Sequence, residues 1–183
     1  MRIPFLLLTI LYLSLQCNAS PVGGSEKVTN LRFYLHNTHS GNDPSSVLVA
    51  QNTNATAHAR GLVPFSSVYV FDDVLTEGPS STSKVVGNAQ GMYVETGKDG
   101  YTILETTDCE MTDGPFKGSS FVLFSRNQFS NPSSRELPVI GGRGAFRMAQ
   151  GYGLLRTVCI DCLDSVNPSK GDIIEYNVTL YLR

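Results

Sequence analysis

The sequence predicts one all-β domain, either a sandwich or a closed antiparallel barrel, and it favours the barrel. Three observations carry this. Short apolar-alternating runs recur along the chain, each bounded by Gly, Pro, Asn, Asp or Ser. No segment sustains a helical period over three turns. Glycines such as Gly87 and Gly91 fall inside strand-like runs, where strong coiling calls for bulges and missing side chains. An eight-stranded barrel can hold one small ligand in its mouth.

The elements follow in order. In "VTNLRFYLHN" (Val28 to Asn37), Leu31, Phe33, Leu35 and Asn37 share one face, with Arg32, Tyr34 and His36 on the other. "SGNDPSS" turns the chain, "SVLVAQ" is a short strand, and the polar stretch from Gln51 to Gly61 is a loop or edge. "FSSVYVFDDVL" (Phe65 to Leu75) is the next strand, closed by "TEGPSSTS". "KVVGNAQGMYVET" (Lys84 to Thr96) is long. "GKDG" turns it into "YTILETTDCEM", and "TDGPFKG" turns that into "SSFVLFSRN". After a loop at Asn131-Pro132, "LPVIGG", "GYGLLRTVCI" and "DIIEYNVTLYLR" complete the set.

Met1-Arg2, an apolar run from Ile3 to Leu15, and small residues at Cys17 and Ala19 describe a secretory signal peptide over residues 1–19. The run is shorter than the roughly 20 residues that span a bilayer. Residues 20–183 then form a single secreted domain. Its loss removes Arg2 and no acid, so the remainder is slightly more acidic than the formal charge of −2. The cations are scattered, which argues against nucleic acid or an anionic membrane as partner.

With Cys17 removed, Cys109, Cys159 and Cys162 remain, an odd number for an oxidising compartment. The C-x-x-C at Cys159 lacks the further ligands a zinc site needs and does not open a helix as a redox site would. A structural disulfide or unpaired thiols are favoured over redox chemistry. Of the sequons, Asn18 goes with the leader. Asn54 sits in a polar stretch suited to a glycan, and Asn177 can carry one only if it faces outward. The glycine-rich "GGRGAFRMAQGYG" (Gly141 to Gly153) has Arg147 where a dinucleotide loop needs its third glycine, and no βαβ unit surrounds it. Its glycines are expected to let strands bend and pack closely.

Several motifs together have a familiar look. "FYLHN", "FDDVLTEGP", "VVGNAQGMYV", "FKGSS", "SRELPVIGGRGAFRMAQGYG" and "EYNV" resemble, in order and spacing, those of the plant dirigent proteins, and they cover nearly the whole chain after residue 19. The resemblance implies an eight-stranded antiparallel β-barrel that assembles as a homo-oligomer, a trimer or dimer, in the apoplast. It implies binding of phenoxy radicals made by a separate laccase or peroxidase. The barrel would steer two monolignol radicals, such as those of coniferyl alcohol, to one lignan stereoisomer. Some relatives instead cyclise a quinone methide, as in pterocarpan formation. Neither route uses a metal or an organic cofactor.

The family's pocket combines acids with an arginine, and Arg135 in "SSREL" matches that arginine. It would orient a phenol or methoxy oxygen; the competing reading is a rim arginine paired with Glu136 or Asp113. The family's aspartate in "FYxHD" falls on Asn37, which shares a face with Phe33 and Leu35 and should line the pocket beside them. A second aspartate of some lignan-forming members falls on Asn127. Asparagine hydrogen-bonds but donates no acidic proton, so these departures favour orientation over cyclisation. Alternation places Asp73 with Phe71, which makes Asp73 the pocket acid of "FDD"; its alternative is a turn cap. Tyr93 shares a face with Glu95, and Glu95 is the carboxylate on that face that could replace the missing acids. A wall-associated defence or structural role without catalysis is the remaining alternative.

Overall fold

The computed structural model describes residues 27–51, 64–98, 101–129, 134–163 and 170–182. The expected leader and Asn54 lie outside them. Nine strands follow in order: β1 (Lys27–Thr38), β2 (Ser46–Ala50), β3 (Val68–Thr76), β4 (Val85–Glu95), β5 (Thr102–Met111), β6 (Ser120–Gln128), β7 (Arg135–Arg143), β8 (Gln150–Leu163) and β9 (Lys170–Leu182).

From β3 to β9 each strand pairs antiparallel with the next. β9 pairs with β1 along its length, from Lys27 opposite Leu182 to Thr38 opposite Gly171. β1 then closes on β3 through Tyr34–Thr76, Leu35–Leu75 and His36–Val74. β2 lies on the same edge of β3 further along, with Ser46 opposite Phe71. β1 and β2 together fill one position, so the nine strands form a closed eight-stranded barrel.

Three segments differ from the expected pattern. Phe65 and Ser66 form a turn, and the strand starts at Val68. β7 begins at Arg135, ahead of the apolar run. β8 continues through the C-x-x-C, where its register against β9 shifts on both sides of Cys159, and Cys159 and Cys162 are joined as a disulfide. The bridge lies within an irregular stretch of β8. Cys109 is a free, buried core thiol.

The Gly141 to Gly153 stretch is the β7–β8 hairpin, with a single 3-10 turn over Gly144–Phe146. Gly144 takes φ +65, and a Cβ there would sit 2.6 Å from the Ser119 hydroxyl. The turn drops Phe146 into the core with no exposed surface, edge-on to Phe121 at 5.7 Å.

The interior is divided along its axis. One end is apolar: Phe33, Phe121, Leu123, Leu137, Leu155, Val178 and Leu180 are essentially inaccessible. Each such side chain contributes about 1.5–3 kcal/mol of burial. Towards the other end the inward positions turn polar. β1 runs Phe33, Leu35, Asn37; β5 runs Cys109, Thr107, Glu105; β9 runs Val178, Tyr176, Ile174, Asp172. A period-2 strand keeps one face inward throughout, so changing residue type along that face builds a plug and a pocket in the same barrel.

Candidate functional site

The polar end encloses a cavity of about 640 Å³. Its walls are mainly apolar and aromatic, including Leu35, Tyr69, Phe71, Tyr93, Ile103 and Ile174. Tyr69 and Tyr93 face each other in register on β3 and β4 and stack at 4.8 Å with an interplanar angle of 11°. Phe71 tilts against Tyr93 at 6.3 Å. Gly91 makes room for this wall, because a Cβ there would run into the Phe71 ring and the Thr106 carbonyl. Burial raises the pKa of the Tyr69 and Tyr93 phenols, so both stay protonated donors. The Tyr93 hydroxyl reaches Ser46 Oγ at 3.3 Å.

Five of the side chains singled out from the sequence meet in this cavity: Asn37, Asp73, Tyr93, Asn127 and Arg135. Asp73 points inward with 1% exposure, while Asp72 is exposed and accepts a bond from Gln90. Asp73 accepts from Asn37 Nδ2 at 2.7 Å and from Ser45 Oγ at 2.5 Å. Desolvation nevertheless pushes its pKa up to about 7; the two hydrogen bonds and the His39 ring pull the other way, and Glu105 adds to the rise. Asp73 therefore exchanges its proton near neutrality.

Arg135 is 6% exposed and enters the cavity at the start of β7, on the face it shares with Leu137 and Val139. It pairs with neither Glu136, which lies on the outer face, nor Asp113, which pairs with Lys84. Its Nε and Nη2 have no hydrogen-bond partner among the described residues. These two atoms form one edge of the guanidinium, a fork with parallel N–H bonds that suits two adjacent oxygens. Burial lowers its pKa, opposed by the nearby Tyr176, Glu105 and Asp172.

Two expected residues are placed elsewhere. Phe33 is in the apolar plug, stacked on Tyr176 at 5.3 Å, and does not line the cavity. Glu95 does not line it either. At the end of β4 its carboxylate accepts the backbone N–H of Gly97 at 3.1 Å and of Thr102 at 3.2 Å, tying the β4–β5 hairpin. Alternation gave Glu95 the right face but not its depth, and the hairpin amides capture it.

The sequence reading missed Glu105. It lines the cavity directly across from Tyr93 in the β4–β5 register, with 7% exposure. Its Oε2 accepts from Asn127 Nδ2 at 2.6 Å and its Oε1 from Thr107 Oγ1 at 2.8 Å. The signal was present: Ile103, Glu105, Thr107, Cys109 and Met111 share one face of β5, so an acid stands in an otherwise core-facing series. Asp172, Ile174 and Tyr176 of β9 also line the cavity. Asn177, on the opposite face, is exposed, which meets the steric condition for a glycan.

Comparison with known proteins fits this geometry. Residues 28–181 match the family model described as "Dirigent-like protein". The chain is 44% identical over 160 residues to dirigent protein 15 of Arabidopsis thaliana, covering 85% of this chain and 80% of that protein. It is 36% identical over 185 residues to pterocarpan synthase 1 of Glycyrrhiza echinata, covering 99% and 94%. The solved structure of the pterocarpan synthase dirigent protein GePTS1 superposes with a TM-score of 0.76 at 34% identity, covering 86% of this chain and 91% of that one.

Proposed function

The chain belongs to the dirigent family, and from that premise we propose that it steers the coupling of two phenoxy radicals to one stereoisomer of a lignan-type product. The radicals come from a separate laccase or peroxidase, and the barrel itself oxidises nothing. The observation that carries this reading is the buried, unpartnered Nε–Nη2 edge of Arg135 opening on a cavity walled by stacked aromatic rings. An ortho-oxygenated phenol offers that fork two acceptors and offers the walls a flat ring. The cavity's 640 Å³ falls within the usual range for small-molecule sites, about 300–1,000 Å³. Glu105 and Asp172 already act on the Arg135 guanidinium, and Asp73 lines the same cavity, which suits neutral phenols over those bearing a carboxylate.

Free coupling of a delocalised radical gives mixtures, and a fixed orientation removes them. A ~100-fold preference needs only about 2.7 kcal/mol between competing arrangements. The second reading, closure of a quinone methide, is favoured by one observation: Asp73 is buried in the cavity lining with its pKa pushed up to about 7, which suits a proton donor at neutral pH.

Secretion to the apoplast, with a signal over residues 1–19 and glycans at Asn54 and the exposed Asn177, belongs to the same proposal. So does assembly as a homo-oligomer. Val70, Met92 and Phe124 occupy one register row across β3, β4 and β6, with Leu104 beside them on β5, and all four are exposed apolar side chains on the outer wall.

The test is to oxidise coniferyl alcohol with laccase in the presence of the purified protein and to resolve the pinoresinol on a chiral column. The expected result is an enantiomeric excess over the laccase-only control. A racemate, with no displacement of a bound phenol by coniferyl alcohol, overturns the reading.

A further inference from the structure

The C-x-x-C on β8 sits on an irregularity that shapes the cavity. From Thr157 to Cys162 β8 advances five residues while the facing part of β9, Ile174 to Gly171, advances three, so β8 carries two extra residues there. The first lies between Thr157 and Cys159 and reverses the alternation. Thr157 lines the cavity, and regular alternation would turn Cys159 inward next and Ile160 outward. Instead Cys159 stands opposite Ile173, which lies in sequence between the cavity-lining Asp172 and Ile174, and it is Ile160 that lines the cavity. Cys162 stands opposite Gly171, the next outward position of β9. Opposed residues of a ladder share a face, so both thiols belong to the outside of the wall, with Ile160 on the inside between them.

Three steps of extended strand cover about 10 Å, but the Cα atoms of Cys159 and Cys162 are 6.0 Å apart. The bridge therefore ties a contracted segment in which an extra residue has no place in the ladder. Ile160 is 68% exposed, so most of its side chain is open to a ligand. Its place in the barrel gives it something to meet. β8 stands opposite β4, four places away in either direction, so Ile160 lies across the mouth from the Tyr69–Tyr93 stack. Arg135 is level with Leu155 on β8, and Thr157 and Ile160 line the cavity further towards the mouth.

We propose that Ile160 is a specificity-determining residue, an apolar lip that packs on the side chain of a bound phenol, and that the Cys159–Cys162 bridge is the positioning element that keeps it turned inward. The proposal rests on the phenol-binding part of the reading above and deepens it. A phenol whose oxygens sit on the Arg135 fork, with its ring against the tyrosine wall, sends its para substituent towards the mouth, where Ile160 covers it. A ring without that substituent leaves the lip untouched. Opening the bridge leaves Ile160 on a strand segment that the ladder holds poorly, and the lip is lost although the fork and the wall remain.

The experiment measures direct binding to the purified protein by calorimetry, with no oxidase. It compares coniferyl alcohol with guaiacol, the same ring without the side chain. The wild type should prefer coniferyl alcohol. A lost apolar contact in a pocket is worth about 10-fold at the low end, so Ile160→Ala should weaken coniferyl alcohol by about 10-fold and leave guaiacol nearly unchanged. Cys159→Ser with Cys162→Ser removes the bridge and should lower the same preference to the same extent. Bridge and lip act through one contact, so the triple variant should lose no more than either alone. Ile160→Val should keep most of the preference. Ile160 is exposed, so its variants fold and read the lip directly. Should the serine variant fail to fold, wild type with its part-exposed bridge opened by a water-soluble phosphine gives the same comparison. A preference that falls with Ile160 and with the bridge supports the proposal even if the laccase product is racemic, in which case only the coupling reading fails. A wild type that binds both phenols alike overturns the proposal and leaves the coupling reading standing. An Ile160→Ala protein or a bridge-free protein with the wild-type preference, or losses that add in the triple variant, also overturns it.

Discussion

Asn37 on β1 donates to Asp73 on β3 at 2.7 Å, and Ser45, just before β2, donates to the other oxygen of the same carboxyl at 2.5 Å. The three groups meet where β1 gives way to β2 on the edge of β3. A buried acid with two neutral donors and no ion pair among the described residues is a titrating group, and its consequences can be measured.

Stability should depend on pH through Asp73. Its pKa rises from an ordinary 3.8 to about 7 on folding, so the folded state holds the proton more tightly than the unfolded chain. This contribution is fully present below about pH 4 and is lost as pH rises through about 7, the opposite of a salt-bridged carboxylate. Taken alone, the window is worth on the order of 4 kcal/mol. His39 and Glu105 also act on the group, so the informative quantity is a difference. Thermal melts of wild type and Asp73→Asn should diverge between pH 4 and 7 and run parallel above about pH 8.

Arg135 should cost stability and supply function. A buried guanidinium with two nitrogens unpaired among the described residues carries a penalty that an apolar side chain of similar length does not. Arg135→Met is expected to raise the unfolding free energy by about 1–3 kcal/mol in chemical denaturation while giving racemic coupling. Arg135→Lys keeps a charge but loses the fork, and its product should be close to racemic.

Glu95→Gln should leave stereoselectivity unchanged. The side chain serves the Gly97 and Thr102 amides and lies away from the cavity. Replacing a charged acceptor with a neutral one should lower stability by about 1 kcal/mol, read as a shift in the denaturation midpoint at constant slope.

Met92→Glu with Phe124→Glu tests the outer wall. Both side chains are exposed on the outer face, at 42% and 41%, so charge there should not disturb the barrel. Sedimentation should show the wild type as an oligomer and the double variant as a monomer with the same melting behaviour. A wild-type monomer would contradict the assembly proposal.

Much of this was legible in the chain. Period-2 alternation gave the strands and put Asn37, Asp73 and Tyr93 on inward faces, because a strand buried on one side fixes the direction of every second residue. Depth along the barrel axis was not legible. Alternation treats Phe33, Leu35 and Asn37 alike, yet only the latter two reach the cavity. For the same reason Glu95 and Glu105 could not be ranked: which acid meets the pocket and which meets a hairpin depends on the stagger between β4 and β5. The Cys159–Cys162 pairing was left open because a C-x-x-C fits several chemistries until its backbone path is known.

The barrel wall between β1 and β2 is a spliced joint. Thr38 and Ser45 bond reciprocally, backbone N–H to side-chain oxygen in each direction at 2.8 Å, and clamp the turn between the two half-strands. Asn37 and Ser45 then reach from either side of the splice to one carboxyl. Every proton that Asp73 gains or surrenders thus changes the fastening of the wall as well as the chemistry inside it. The width of the mouth and the charge of the pocket are coupled through a single side chain.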